Sequence, residues 1–409
     1  MLGAGVVGTA TAYYLASAGD DVILIDEADS AGSGATSGNA GLLTAGDSTV
    51  WASPATLRTV PRVLTGRSPS IRLDRGAGFA LLGWGARFIR ECSPGRNRRN
   101  VFAAHTLSTF SLAATRALTD TFEVDLGLQS NGLLTLFETR AALDRGVAAR
   151  ALLVDAGVVL EILDQDQLID LDSAFGAAPL PPQWGIYSPN DMSGNSLHFT
   201  QQLVARCQDL GVETLFNTTI MGFTRDQTGV VGVATSQGSV TADRYVVCLG
   251  HKSPALARSA GDRLTMMPAT GFSITAPILD DDAVPQVPVI DEARHVAFSR
   301  MGDSLRVTSS AIIGSATAAV ADRELKDIRA TVDCFFSSAL DMANAKARAR
   351  ARPVMARNRP AIGRGRDERV FYNAGHGALG WTQACGSAQL ITSIIHHTVP
   401  PIDPSHYAI

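Results

Sequence analysis

The chain opens Met1-Leu2-Gly3-Ala4-Gly5-Val6-Val7-Gly8, and this glycine spacing constrains the fold more than any other feature. Gly-x-Gly-x-x-Gly alone is common. Here it runs into Thr9–Ala18, which has helical spacing with Ala12, Leu15 and Ala16 on one face, and stops at Gly19. Asp21-Val22-Ile23-Leu24-Ile25-Asp26-Glu27 then reads as a buried parallel strand ending in acid. Turn, helix and strand in this register form a dinucleotide-binding unit. Gly3 permits the tight turn, Gly5 lets a pyrophosphate approach the backbone, and Gly8 lets the helix pack closely on the sheet. The helix start at Val6 and Val7 presents unpaired N–H groups and the positive dipole end to phosphate. Asp26 would accept hydrogen bonds from ribose hydroxyls, with Glu27 as the neighbour that can take the role instead.

The strand that should precede the fingerprint is reduced to Met1 and Leu2, where about five residues are usual. It would be central in a parallel sheet. The expected explanation is a start placed too late, ahead of a trimmed chain or an incomplete sheet.

Apolar residues make up 45% of the 409 and charged residues 18%, enough for a substantial core in two to three units or one large two-part fold. A net charge of -4 argues against a nucleic-acid binder held by counterion release. Five cysteines without a CxxC pair argue against a disulfide framework or a zinc site, so no metal is expected. No apolar run of about 18 residues and no secretory layout occur. The expectation is a soluble cytoplasmic protein, with peripheral contact on the inner face of the membrane left open.

The loop Gly32–Gly41 is small and polar and cannot build a core. It is either plain surface or, lying just beyond Asp26, runs beside the cofactor. In that case Thr36, Ser37, Asn39, Ala40 and Gly41 reach its second phosphate or ring system. Farther on, helices are expected over Gly78–Glu91, Thr106–Phe122, Arg140–Ala156, Ser196–Leu210, near Arg323–Met342 and over Gln383–His396. Strands are expected over Gly132–Phe137, Val212–Phe216, Gly271–Thr275, His295–Arg300, Ser304–Thr308 and Val370–Ala374. A hairpin joins Ile220–Arg225 to Val230–Ser236, and Arg244–Leu249 is an apolar strand ending at Gly250. Arg96, Arg98 and Arg99 read as a solvated helix end, and the proline-rich Gly176–Trp184 as a linker.

Several segments together resemble the D-amino-acid dehydrogenase (small subunit type) branch of the D-amino-acid oxidase-like flavoproteins. They are Gly3–Gly8, Asn39-Ala40-Gly41, Asn131–Leu134, Pro189-Asn190-Asp191 with Gly194, Asp291-Glu292, Arg352-Pro353 and Asn373–Gly386 (NAGHGALGWTQACG). The last is the most specific, and the similarity covers nearly the whole chain. The resemblance implies FAD as cofactor and hydride transfer from an amino acid's Cα to the flavin N5. The imino acid so formed hydrolyses to a 2-oxo acid and ammonia, and the electrons pass to a quinone or another acceptor. It also implies an α/β chain with a doubly wound, Rossmann-like parallel FAD-binding sheet (1–58, 185–265 and 351–409). A second, mixed β-sheet substrate domain of α+β type would take 59–184 and 266–350.

Among the residues, Arg352 matches the family's carboxylate-binding arginine, a bidentate role suited to a guanidinium. Strand alternation through Lys346, Arg348, Arg350 and Arg352 would point Arg350 the same way. Gly377, Leu379, Gly380, Trp381 and Thr382 would aim the start of the last helix at the reduced ring, with Trp381 read mainly as packing. His376 is either a site residue or a loop histidine satisfied by backbone. The chain departs from the family in carrying Thr270-Gly271-Phe272-Ser273 for a Lys-Gly-Tyr-Ser run, Arg294 for a tyrosine, and Arg357-Asn358 for a Pro-Asp pair. The extra Arg294 and Arg350 lead to the expectation of a substrate with a second acidic or polar group. Alternatives are a flavin-binding scaffold subunit of a hetero-oligomeric complex, or a glycine or sarcosine-type oxidase. The oligomeric state, homo- or hetero-, is left open.

Overall fold

In a computed structural model, which describes residues 1–68, 71–122, 125–178, 181–336 and 338–409, the fingerprint sits where its spacing requires. Val6–Ser17 is the helix and Ile23–Ile25 the strand. The strand pairs in parallel with Glu213–Leu215 on its outer side. On its inner side Leu2 bridges Ile25 and Val247, with the Ile25 N–H donating to Met1 O (2.9 Å) and the Gly3 N–H to Ile25 O (2.8 Å). Main-chain bonds hold this one-residue centre: Leu2 N–H to Val246 O at 2.9 Å and Cys248 N–H to Leu2 O at 2.8 Å. Tyr245–Val247 continues in parallel into Val370–Ala374, and Ala361–Arg364 closes the sheet antiparallel. Apolar side chains cover both faces. Leu24, Val246 and Phe371 pack under Leu15, Leu390 and Ile391 on one side, and Ile25, Val247 and Tyr372 under Val233, Leu256 and Met266 on the other. At about 1.5–3 kcal/mol for each fully buried large side chain, these layers offset the short centre.

The second sheet is mixed and nine-stranded. Lys346–Met355, Met266–Pro277, Ser304–Ile313, Val296–Arg300 and Val289–Asp291 lie side by side antiparallel. Leu133–Phe137, Trp184–Ser188 and Glu161–Asp164 extend them, and Ile71–Leu73 adds at one margin. Helix Asp322–Phe335 lays Ile328, Val332 and Phe335 over Phe272, Ile274 and Phe298. Two divisions drawn from sequence fall inside this sheet: position 350/351 lies within one unbroken strand, and residues 185–188 pair with its neighbours.

Most expected elements differ only at their ends. Pro94–Thr119 is one helix, longer than expected because Arg96, Arg98 and Arg99 sit in its first turns without an apolar face to mark them. The helix expected through Ala156 breaks at Arg150, whose side chain turns inward to Asp47 (2.8 Å) and Thr135 (3.1 Å). In the expected linker, Pro179 lies outside the described residues; Trp184 already begins a strand.

Candidate active site

A cleft of about 760 Å3 runs from the fingerprint, between the two sheets, to the strand carrying Arg352. Its first wall is backbone. Gly3 has φ +105°, and a Cβ there would come within 2.6 Å of Cys248 O, so only glycine fits. A Cβ at Gly8 would overlap Gly3 O, which packs helix against turn as expected. Gly5, Val6 and Val7 line the cleft, and the Val6 N–H donates to Thr36 Oγ1 at 3.0 Å. Asp26 accepts from the N–H groups of Ala4 (2.6 Å) and Ala28 (2.9 Å), pinning the turn to the strand end. Glu27 pairs with Lys252 at 2.6 Å across the cleft's edge, and Gly250, at φ +53°, carries the chain between them.

The loop of residues 32–41 divides its work. Thr36 and Asn39 face the cleft. Ser37, Ala40 and Gly41 lie behind it as supports. Ser37 Oγ accepts from Arg350 Nε (2.8 Å), and Ala40 O accepts from Ser299 Oγ (2.5 Å). Gly41, at φ +83°, leaves no room for a side chain beside Met301 and Ser299. The closing loop divides in the same way. Gly377, Gly380 and Trp381 line the cleft; Leu379 packs with Val50 and Ala104. Thr382 Oγ1 accepts from the Thr44 N–H at 3.1 Å. Asp191 holds Thr44 and the next two N–H groups in place, and its burial pushes its carboxyl up to about 6.

Among the described residues, three buried polar atoms that line the cleft have no hydrogen-bond partner: Asn373 Oδ1, His376 Nε2 and Trp381 Nε1. Buried groups of this kind are normally satisfied. Trp381 otherwise packs edge-on against Phe199 (4.7 Å), so its expected packing role holds together with a polar edge left open. Burial pushes His376 down to about 3, so the ring is neutral at ordinary pH. A backbone cradle at one end and unpaired polar atoms along the floor fit a large polar cofactor with a phosphate linkage and an aromatic ring, which FAD is.

At the far end Arg352 lines the cleft, its guanidinium against Gly271, where a Cβ would collide with it. Desolvation lowers its pKa and no charged neighbour offsets this; among the described residues no acid pairs with it. Arg350 lines the cleft too, but its Nε is held by Ser33 O (3.1 Å) and Ser37 Oγ, and Nη1 by Ala349 O. Arg294 is elsewhere. It is paired with Asp291 (2.8 Å) and Glu138 (3.1 Å) over the Phe335 ring, in a separate hollow. The turn following Asp291 aims Arg294 at that carboxylate, so the expected catalytic role and second charge at the substrate lose their carrier. Met221, His251 and the short segment Ala316-Thr317-Ala318 also line the cleft, as do Gly271 and Asn373, which the sequence offered only inside longer matched segments and not as site residues. Asn373 had a local signal, as the first residue of the glycine-rich stretch. Gly271 is brought in by strand pairing, and Ala316–Ala318 follow the end of strand Ser304–Ile313.

A family model described as "FAD dependent oxidoreductase" (DAO) matches residues 2–394. The chain is 33% identical to D-amino acid dehydrogenase 2 of Mesorhizobium japonicum, over 99% of its own length and 97% of that protein's. It is 33% identical to the D-amino acid dehydrogenase of Phenylobacterium zucineum, over 100% and 96%. The solved glycine oxidase of Geobacillus kaustophilus superposes with a TM-score of 0.77 over 100% of this chain and 96% of that one, at 17% identity.

Proposed function

Because the chain belongs to the DAO family of FAD-dependent oxidoreductases, we propose that it is a dehydrogenase of D-amino acids or related secondary amines such as hydroxy-D-proline. Arg352 carries the reading: a desolvated guanidinium at the inner end of a cofactor-sized cleft, with no acid among the described residues paired with it. Such a group is completed by a carboxylate, which it grips through two parallel hydrogen bonds.

FAD held in the cleft would supply the two-electron oxidant for hydride removal from the substrate Cα. The residues that would hold it are those of the glycine turn, Asp26, Thr36 and Asn39 at one end, and Asn373, His376, Gly377 and Trp381 at the other. Arg352 fixes the α-carboxylate and so sets where Cα lies, a contribution of position rather than proton transfer. Among the described lining residues the carboxylates are Asp26 and Glu27, both at the fingerprint end. No carboxylate is therefore placed to take a proton from the substrate amine, which reacts as the free base. His376 stays neutral and offers Nε2 as a hydrogen-bond partner. Gly271 lies against the Arg352 guanidinium, and Ala316, Thr317 and Ala318 add small uncharged side chains to the cleft lining. An external acceptor, a quinone or another, removes the electrons.

Neither the scaffold reading nor the glycine or sarcosine-type oxidase reading is favoured: the likeness to glycine oxidase, at 17% identity, carries the fold alone. Turnover of paired D- and L-amino acids with an artificial electron acceptor tests the proposal. The D-series should give 2-oxo acid and ammonia in equal amounts. Faster L-enantiomers, or no product from either series, would reject it.

A further inference from the structure

We propose, on the reading that FAD fills the cleft, that Arg350 is a cofactor residue whose guanidinium binds the cofactor's diphosphate together with the start of helix Val6–Ser17. Alternation places Arg348, Arg350 and Arg352 on one face of strand Lys346–Met355. Pairing through Thr275 sets Arg306 on the same face, two strands away. Arg352 lays its guanidinium against Gly271. The other three turn to the loop of residues 33–41. Arg306 Nη1 donates to Asn39 O (3.0 Å), and Arg348 Nη1 to Ser37 O (3.2 Å). Arg350 Nε donates to Ser33 O (3.1 Å) and Ser37 Oγ (2.8 Å). A Cβ on Gly38 would lie 2.7 Å from Arg350 Cγ, so the stem of Arg350 is laid across that loop.

These partners are carbonyls and a hydroxyl, not acids. Among the described residues none of the three arginines enters an ion pair. Burial, and after it the charge of Arg348, lowers the pKa of both Arg306 and Arg350. Desolvated charge of one sign is costly until an opposite charge reaches it. Only Arg350 of the three lines the cleft. Its Nη1 donates to Ala349 O (2.9 Å), and its Nη2 makes no hydrogen bond among the described residues. Position then selects the anion. Ser33 and Ser37, which Arg350 holds, bracket Thr36, whose Oγ1 accepts from the Val6 N–H at the helix start (3.0 Å). The guanidinium therefore stands on the loop that meets the positive end of Val6–Ser17, where Gly5, Val6 and Val7 line the cleft. The acids at this end are engaged already: Asp26 by the N–H groups of Ala4 and Ala28, Glu27 by Lys252. An unopposed guanidinium and a helix N-terminus on one wall suit the two phosphates of a dinucleotide.

Cofactor binding, rather than turnover, tests this. Full-length protein freed of flavin would be titrated with FAD, followed by the quenching of flavin fluorescence, as wild type, Arg350→Met, Arg350→Lys and Arg348→Met. Arg348→Met is the control, because Arg348 ties the same loop without lining the cleft. Arg350→Met should weaken FAD binding by about tenfold or more, the scale of hydrogen bonds to a charged group, while Arg348→Met stays within about threefold of wild type. Arg350→Lys, which keeps the charge and loses the fork, should fall between wild type and Arg350→Met, and it carries the comparison with Arg348→Met where Arg350→Met does not fold. Unchanged FAD binding in both Arg350 variants would overturn the proposal. So would an equal loss in Arg348→Met, which would leave Arg350 a holder of the loop alone; either result leaves FAD as the cofactor. Wild-type protein that takes up no FAD would overturn both together.

Discussion

The two ends of the cleft are built from different material. At the fingerprint end the ligand meets backbone: Gly3 and Gly5 bring the chain close, and Asp26 spends its carboxylate on the N–H groups of Ala4 and Ala28. At the other end it meets side chains, above all Arg352, with Arg350 on the same strand tied back to Ser33 and Ser37. A backbone-built site depends on main-chain geometry that a local sequence can specify. A side-chain site depends on which strands happen to lie together.

If this contrast is right, substitutions at the two ends should fail in different ways. The largest effect belongs to Gly8→Ala, whose Cβ would overlap Gly3 O. Overpacking against backbone should cost more than about 3 kcal/mol, read as colourless protein with a depressed melting temperature. A yellow, normally stable G8A protein would break the comparison. Next is Arg352→Ala, which should keep its flavin and lose about a hundredfold or more in kcat/KM, from the several kcal/mol at stake when a buried carboxylate loses its partner. Loss of flavin in R352A would mean that the two ends are not separable.

His376 gives a smaller, pH-dependent effect. Its folded pKa, about 3, lies below the unfolded value of about 6.5. Protonation therefore favours the unfolded chain: its contribution is intact above about pH 6.5 and is lost as pH falls toward 3. The slope reaches about 1.4 kcal/mol per pH unit. Chemical denaturation at pH 7 and pH 5 should show wild type losing about 2 kcal/mol more than His376→Asn across that interval; equal losses would contradict the burial. The smallest effect on turnover is expected from Arg294→Ala, because its partners are Asp291 and Glu138, outside the cleft. KM for any amino acid should move less than about twofold, while stability falls by about 3 kcal/mol because Asp291 is left buried without its partner. A large KM change would place Arg294 at the substrate after all.

The same contrast explains what the sequence made legible. The fingerprint helix, the strand Val370–Ala374 and the glycine-rich closing loop were readable because each is local. Arg352 was readable only through the resemblance, since nothing nearby shows that Gly271 would clear space for it. Arg294 was misplaced because its direction is set by Asp291 and by Glu138, from a distant strand. Ser37, Ala40, Gly41, Leu379 and Thr382 sit in the right loops but behind the cleft, a distinction of a few ångströms that spacing does not encode. Ala316–Ala318 and Gly271 gave no signal, because small residues announce room only once their neighbours are known.

The most direct test of the central claim is anaerobic mixing of the purified, FAD-loaded protein with a D-amino acid carrying a neutral side chain. The account predicts that the visible flavin absorption bleaches within seconds, and that R352A, equally yellow, bleaches at least about a hundredfold more slowly at the same substrate concentration. Protein that dithionite bleaches but no amino acid does, or an R352A variant that bleaches as fast as wild type, would contradict it.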